Sequence, residues 1–124
     1  MATIAVVDDD QEIRQIVPRI LAPLGHKVVT AIDGVAAEYL LDKSVPDLLI
    51  IDLSMPRKGG WDLINAIHQN PEWSKAKIMI LTASSGFVER SIMSRLSRVD
   101  SYVTKPFKPE ALRDAVREVL STKA

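Results

Sequence analysis

Leu48-Leu49-Ile50-Ile51-Asp52 is the stretch on which the fold turns. Four consecutive aliphatics, bracketed by Val45-Pro46-Asp47 and Ser54-Met55-Pro56, read as a strand buried on both faces. Such strands lie at the centre of parallel α/β sheets, where ligands bind beyond the carboxyl ends of the strands. Asp52 stands at that end. Val6-Val7-Asp8-Asp9-Asp10 finishes a second apolar strand on acid, and two further strands finish at Thr82 and Lys105. Asp8, Asp9, Asp52, Thr82 and Lys105 are therefore expected to converge.

Outward from this stretch, Thr3-Ile4-Ala5-Val6-Val7 reads as the first strand, apolar enough to be central. Asp9 or Asp10 can cap the next helix, and Asp9 and Glu12 have capping-box spacing. Ile13, Ile16, Val17, Ile20, Leu21 and Leu24 recur at helical spacing, with Gly25 placed as the stop. Pro18 interrupts this run at a cost of about 3 kcal/mol or more, which predicts one kinked helix rather than two, because the apolar stripe continues past it. Lys27 to Ala31 is a shorter, more polar second strand suited to an edge. After the Asp33-Gly34 turn, a helix over 35–43 is expected to bury Val35, Ala36, Tyr39 and Leu40.

Downstream of Asp52, Pro56, Gly59 and Gly60 shape a turn-rich loop, and a helix over 61–69 offers Trp61, Ile64, Ala66 and Ile67 to the core. Lys77 to Thr82 is the fourth strand. A fourth helix, from about Phe87 to Ser97, carries the thinnest apolar stripe: Val88, Ile92, Met93 and Leu96. Ser101 to Thr104 is the fifth strand, Lys105-Pro106-Phe107 turns the chain, and Pro109 opens a fifth helix that buries Leu112, Ala115, Val116, Val119 and Leu120. Five strands alternating with five helices predict a doubly wound α/β fold with a five-stranded parallel sheet. Right-handed crossovers favour order 2-1-3-4-5, the flavodoxin-like arrangement, which centres the most apolar strands and sets the ends of strands one, three and four side by side.

Composition narrows the function classes. The 124 residues, 47% hydrophobic and 26% charged, are expected to form one domain over 1–124 with a real core. Sixteen basic and sixteen acidic residues cancel, giving no bulk attraction to nucleic acid or anionic lipid. There is no cysteine, so no disulfide framework and no thiolate metal site. No signal sequence or membrane-spanning stretch is visible, and the expected location is cytoplasmic. His26 and His68 lack partners at metal spacing and are expected to face solvent.

Three carboxylates crowded at strand ends repel, each pair costing about 4 kcal/mol at 4 Å and an effective dielectric near 20. Protonation of one acid or binding of a divalent cation relieves this. Oxygen-only ligands favour a hard ion, and Mg²⁺, which accepts a few carboxylates plus a phosphoryl oxygen, suits an open site on loops. The parts of a covalent aspartyl phosphate are then present: Asp52 as nucleophile, Lys105 as a positive charge, and the Thr82 hydroxyl as a donor to a phosphoryl oxygen.

Val6-Val7-Asp8-Asp9, Ile51-Asp52-Leu53-Ser54-Met55-Pro56, Leu81-Thr82-Ala83 and Tyr102-Val103-Thr104-Lys105-Pro106-Phe107 together resemble the receiver domain of two-component response regulators, in order and along the whole chain. The resemblance implies that Asp52 accepts a phosphoryl group from phosphohistidine on a sensor kinase or phosphotransfer protein. It implies Mg²⁺ held by Asp9 directly, by Asp8 largely through water, by Asp52 and by the backbone carbonyl of Ser54. Lys105 would pair with the phosphoryl group, Thr82 would move to hydrogen-bond it, and Tyr102 would change rotamer, altering a protein-binding face on helix four, strand five and helix five. The chain would catalyse its own phosphorylation and dephosphorylation without being a turnover enzyme, as a monomer or a phosphorylation-dependent dimer. Output would pass through protein contact or through sequence not included in this chain.

The sequence departs from that family at a few points. Arg98-Val99 stands where Gly-Ala is usual before strand five, Gly59 replaces a common acid, and small Ser54 and Ser84 occupy positions that tune dephosphorylation. Two other readings share the residues. Asp8-x-Asp10 after a strand resembles haloacid-dehalogenase-type phosphatases, with Asp8 as nucleophile, but a late acidic pair and an enclosing cap are missing. A pseudo-receiver would use the same fold purely as an interaction surface. A flavin carrier of this fold class is disfavoured because the three consecutive Asp residues would repel a flavin phosphate.

Overall fold

The apolar runs pair as their patterning predicts, into one parallel sheet in the order β2-β1-β3-β4-β5. The computed structural model describes residues 1–53, 59–83 and 99–121, and the side chains of that set except those of Thr82 and Ala83. Its strands are β1 (Thr3–Val7), β2 (Lys27–Ala31), β3 (Leu48–Asp52), β4 (Lys77–Ala83) and β5 (Ser101–Lys105). Between them run α1 (Gln11–Leu21), α2 (Gly34–Lys43) and α3 (Gly60–Gln69), and a C-terminal helix spans Pro109–Ser121. The expected helix over 87–97 lies outside the described residues, as do Arg98, Ser54, Pro56 and Ser84. None of the described helices is long and apolar enough to cross a membrane.

Alternation along the strands sorts the core into two layers. Ile4, Val6, Leu48, Ile50, Met79 and Leu81 face α1 and the C-terminal helix, meeting Val17, Leu21, Leu112 and Val116. Ala5, Val7, Leu49, Ile51, Ile78 and Ile80 face α2 and α3, meeting Ala37, Leu41, Leu63, Ile64 and Ile67. Every residue of β3 is buried. β2 is an edge strand as expected, although it is no shorter than β1.

The N-terminal pole of the sheet is tied by two aspartates in place of ladder partners. Asp47 accepts the Thr3 N–H and Asp100 accepts the Ile78 N–H, each at 2.8 Å.

Locally, the single helix through Pro18, the stop at Gly25 and the exposure of His68 are as expected, whereas several burial expectations need correction. α1 passes through Pro18 as one helix and then tightens into a 3₁₀ turn over Ala22–Leu24, where Gly25 stops it at φ +78°. Ile16, placed on the buried face by spacing, is 47% exposed. On α2 the buried side chains are Ala37 and Leu41, whereas Val35 and Tyr39 are 59% and 67% exposed. This helix carries two apolar stripes, and the one with Gly34, Ala37 and Leu41 is the one it buries. On α3, Leu63 is buried while Trp61 and Ala66 are half-buried. On the C-terminal helix, Ala115 and Leu120 are half-buried beside the buried Leu112, Val116 and Val119. His68 is exposed, but His26 is half-buried and accepts the Ala2 N–H on Nδ1 at 2.9 Å.

Candidate functional site

Strand alternation also aims the site. Ile4, Val6 and Asp8 follow one parity, as do Leu48, Ile50 and Asp52, and Val103 and Lys105, so three charged side chains leave the sheet on the face that carries α1. The register of β3 on β4 pairs Asp52 with Leu81, and that of β4 on β5 pairs Thr82 with Thr104 and Ala83 with Lys105. The main chain of Thr82 thus lies one step beyond the partner of Asp52. Its hydroxyl lies outside the described side chains.

Asp8, Asp9 and Asp52 each bring a carboxylate oxygen to a common point, all within 4.8 Å of one another. Asp8 and Asp52 are buried and Asp9 is exposed, so the cluster is rooted in the core and open on one side. Lys105 Nζ donates to Asp8 Oδ2 at 2.9 Å and stands 3.8 Å from Asp52 Oδ2. The second oxygen of Asp8 accepts the Asp10 N–H at 2.9 Å. Burial nonetheless dominates and raises the Asp8 pKa above its ordinary value, and the negative charge of Asp52 pushes it the same way, against the Asp10 N–H and Lys105.

Asp10, not Asp9, caps α1: its Oδ1 accepts the Glu12 N–H at 2.9 Å. The capping-box pairing of Asp9 with Glu12 is therefore not the one formed. That division of labour leaves the Asp9 carboxylate in the cluster.

Sequence reasoning missed three features of the site. Arg14 Nη1 donates to the Asp8 main-chain oxygen at 2.9 Å, bringing a guanidinium behind the acids. Gly60 sits so close to the end of β3 that a Cβ there would lie 2.7 Å from the Asp52 carbonyl oxygen and 2.8 Å from the Leu53 Cα. A cleft of about 460 Å³ opens beside Lys105, walled chiefly by Ile13, Ile16, Ile20, Pro106, Phe107 and Pro109. The position of Arg14 one helical turn after Asp10 was visible, but the reach of its side chain was not. Tyr102 is 43% exposed and is not a core side chain.

The donor set fits a hard divalent cation. All three convergent side chains are carboxylates, at a separation a single small ion can bridge, and no Cys or His joins the described cluster.

Comparison with known proteins agrees with this geometry. The response regulator receiver domain family matches residues 4–117. The transcriptional regulatory protein CpxR of Escherichia coli (strain K12) is 35% identical over 120 residues, covering 97% of this chain and 50% of that protein. Protein PilG of Pseudomonas aeruginosa is 30% identical over 114 residues, covering 92% of this chain and 84% of PilG. The crystal structure of the chemotaxis protein CheY4 of Vibrio cholerae superposes with a TM-score of 0.86 at 29% identity, covering 96% of this chain and 98% of that one. The chain spans about half the length of the curated transcriptional regulators it matches.

Proposed function

The chain belongs to the response regulator receiver domain family, a component of two-component signalling, and we propose that Asp52 is its phosphoryl acceptor. The observation that carries this reading is the convergence of Asp8, Asp9 and Asp52 beside Lys105 at the carboxyl end of the sheet. The Asp52 carboxylate attacks the phosphorus of a phosphohistidine. As the O–P bond forms the P–N bond breaks, and the imidazole leaves with the electron pair. Lys105, engaged by Asp8 and 3.8 Å from Asp52, is placed to follow charge onto the transferred group. Asp8, Asp9, Asp52 and the carbonyl of Ser54 would hold Mg²⁺. When bound, it supplies the positive charge that offsets carboxylate and phosphoryl oxygens.

Thr82 hydrogen-bonds the phosphoryl group and Tyr102 responds by rotamer, so that a face on the segment expected to be the fourth helix, β5 and the C-terminal helix changes for a downstream protein. The 43% exposure of Tyr102 supports this role. The donor is a histidine kinase or histidine phosphotransfer protein in the cytoplasm. The apolar cleft beside Lys105, with half-exposed Ile16 on its wall, suits the docking of a donor helix next to the acceptor. The chain acts on itself alone, adding and losing its own phosphoryl group.

Intact mass after incubation with acetyl phosphate tests the reading. One phosphoryl group should be gained only with Mg²⁺ and not by Asp52→Asn. No gain under any condition leaves a pseudo-receiver. A label that persists in Asp52→Asn and disappears in Asp8→Asn would establish the phosphatase chemistry instead, for which Asp10, already spent on the helix cap, is poorly placed as general acid.

A further inference from the structure

We propose that Arg14 is a positioning residue that fixes the direction of the Asp9 carboxylate. This rests on the reading of Asp8, Asp9 and Asp52 as the divalent-ion site. Asp8 is held at every polar group. Its N–H donates to the Ala31 carbonyl at 3.1 Å, Oδ1 accepts from the Asp10 N–H and Oδ2 from Lys105, each at 2.9 Å, and its carbonyl accepts from Arg14 Nη1 at 2.9 Å. Asp9 is exposed, and among the described residues none hydrogen-bonds its carboxylate.

The Asp8 carbonyl and the Asp9 nitrogen and Cα share one rigid peptide plane. A donor on that carbonyl therefore limits rotation of the plane, fixes the Asp9 N–Cα bond about which the side chain turns, and so narrows the directions open to the Asp9 Cα–Cβ bond. Arg14 is well anchored for this task. Its own N–H donates to the Asp10 carbonyl at 3.1 Å as the first turn of α1 closes, its side chain is half-buried, and a planar guanidinium loses little freedom per bond formed. Asp9 thus depends for its aim on a side chain that is not itself a ligand.

Charge and positioning predict opposite signs. Removing a cation from behind three carboxylates strengthens their attraction for a divalent ion, whereas releasing Asp9 weakens binding. In a calorimetric Mg²⁺ titration of the folded protein, Arg14→Met should bind about tenfold more weakly, at the low end for partners that orient a metal ligand. Arg14→Lys should recover part of the loss. In an Asp9→Asn background the Arg14 substitution should cost little more. Tighter or unchanged binding in Arg14→Met, or full additivity with Asp9→Asn, overturns the proposal.

Backbone ¹⁵N relaxation of the metal-free protein gives a second readout: Arg14→Met should loosen the Asp9 amide while Asp8 stays rigid, and an unchanged Asp9 overturns the proposal. Should Arg14→Met fail to fold, Arg14→Gln takes its place in both measurements. Failure of the wild type to bind Mg²⁺ would defeat the metal-site reading instead, and the relaxation measurement would still decide whether Arg14 orders Asp9.

Discussion

Lys105 and Asp8, 97 residues apart in sequence, meet at 2.9 Å, and Asp52 lies 3.8 Å from the same ammonium. The lysine is closer to Asp8 than to Asp52, the proposed phosphoryl acceptor. Asp8 is fully buried and the lysine side chain is 24% exposed, so the pair is shielded but not sealed.

Lys105→Ala should therefore leave Asp8 buried and short of its cation. The expected loss is about 2 kcal/mol of stability in EDTA, within the range for charge-assisted hydrogen bonds, with much of it recovered on adding Mg²⁺. Urea denaturation with and without Mg²⁺ measures both. Equal losses in the two conditions would mean that the lysine stabilises something other than the acid cluster.

The raised pKa of Asp8 gives stability a pH dependence of defined sign. A carboxyl whose native pKa lies above its unfolded value favours folding fully below the unfolded value of 3.8, and that contribution is lost as pH rises through the native pKa. Near neutrality in EDTA, Asp8→Asn should thus melt a few degrees above the wild type, and the gap should close as pH falls towards the ordinary carboxylate range. Melting curves from neutral to acid pH test this. A wild type that is the more stable form at neutral pH would contradict it.

Two glycines should fail in different ways. Gly60→Ala places a methyl against the Asp52 carbonyl and the Leu53 Cα, both backbone, so it should cost about 1–3 kcal/mol as overpacking does and slow phosphorylation by shifting Asp52. Gly25→Ala meets nothing within 4 Å but sits at φ +78°, so it should cost about 1–2 kcal/mol of backbone strain and leave the phosphorylation rate alone. Denaturation midpoints together with acetyl phosphate kinetics separate the two.

Asp10→Ala removes the side-chain cap of α1 while retaining the N–H that serves Asp8. The expected cost is about 1 kcal/mol, with Mg²⁺-dependent phosphorylation intact. Loss of phosphorylation at unchanged stability would assign Asp10 a chemical role.

The strands were legible because burial on two faces demands nearly continuous aliphatic runs, and β1, β3 and β4 have them. Their order followed from apolarity and crossover handedness, Asp8 and Asp52 followed from where those runs stop, and Lys105 from the end of the more polar β5. The stop at Gly25 and the buried residues Leu112, Val116 and Val119 were equally plain, since a left-handed stop and a single apolar stripe each have one local solution.

α2 was misread because Val35 and Tyr39 form as good a stripe as Ala37 and Leu41, and only contact with the core selects the face that is buried.

By itself, then, the sequence determined which strands form and what chemistry ends them, since periodicity, turn residues and strand termini are local or nearly local properties. Tertiary structure alone decided that Asp10 caps while Asp9 stays in the cluster, that Lys105 engages Asp8, that Gly60 must lack a side chain and that Arg14 grips the Asp8 carbonyl. Each of these depends on distances of a few ångströms between groups whose approach is fixed only when α1, α3 and β5 have packed against the ends of β1 and β3.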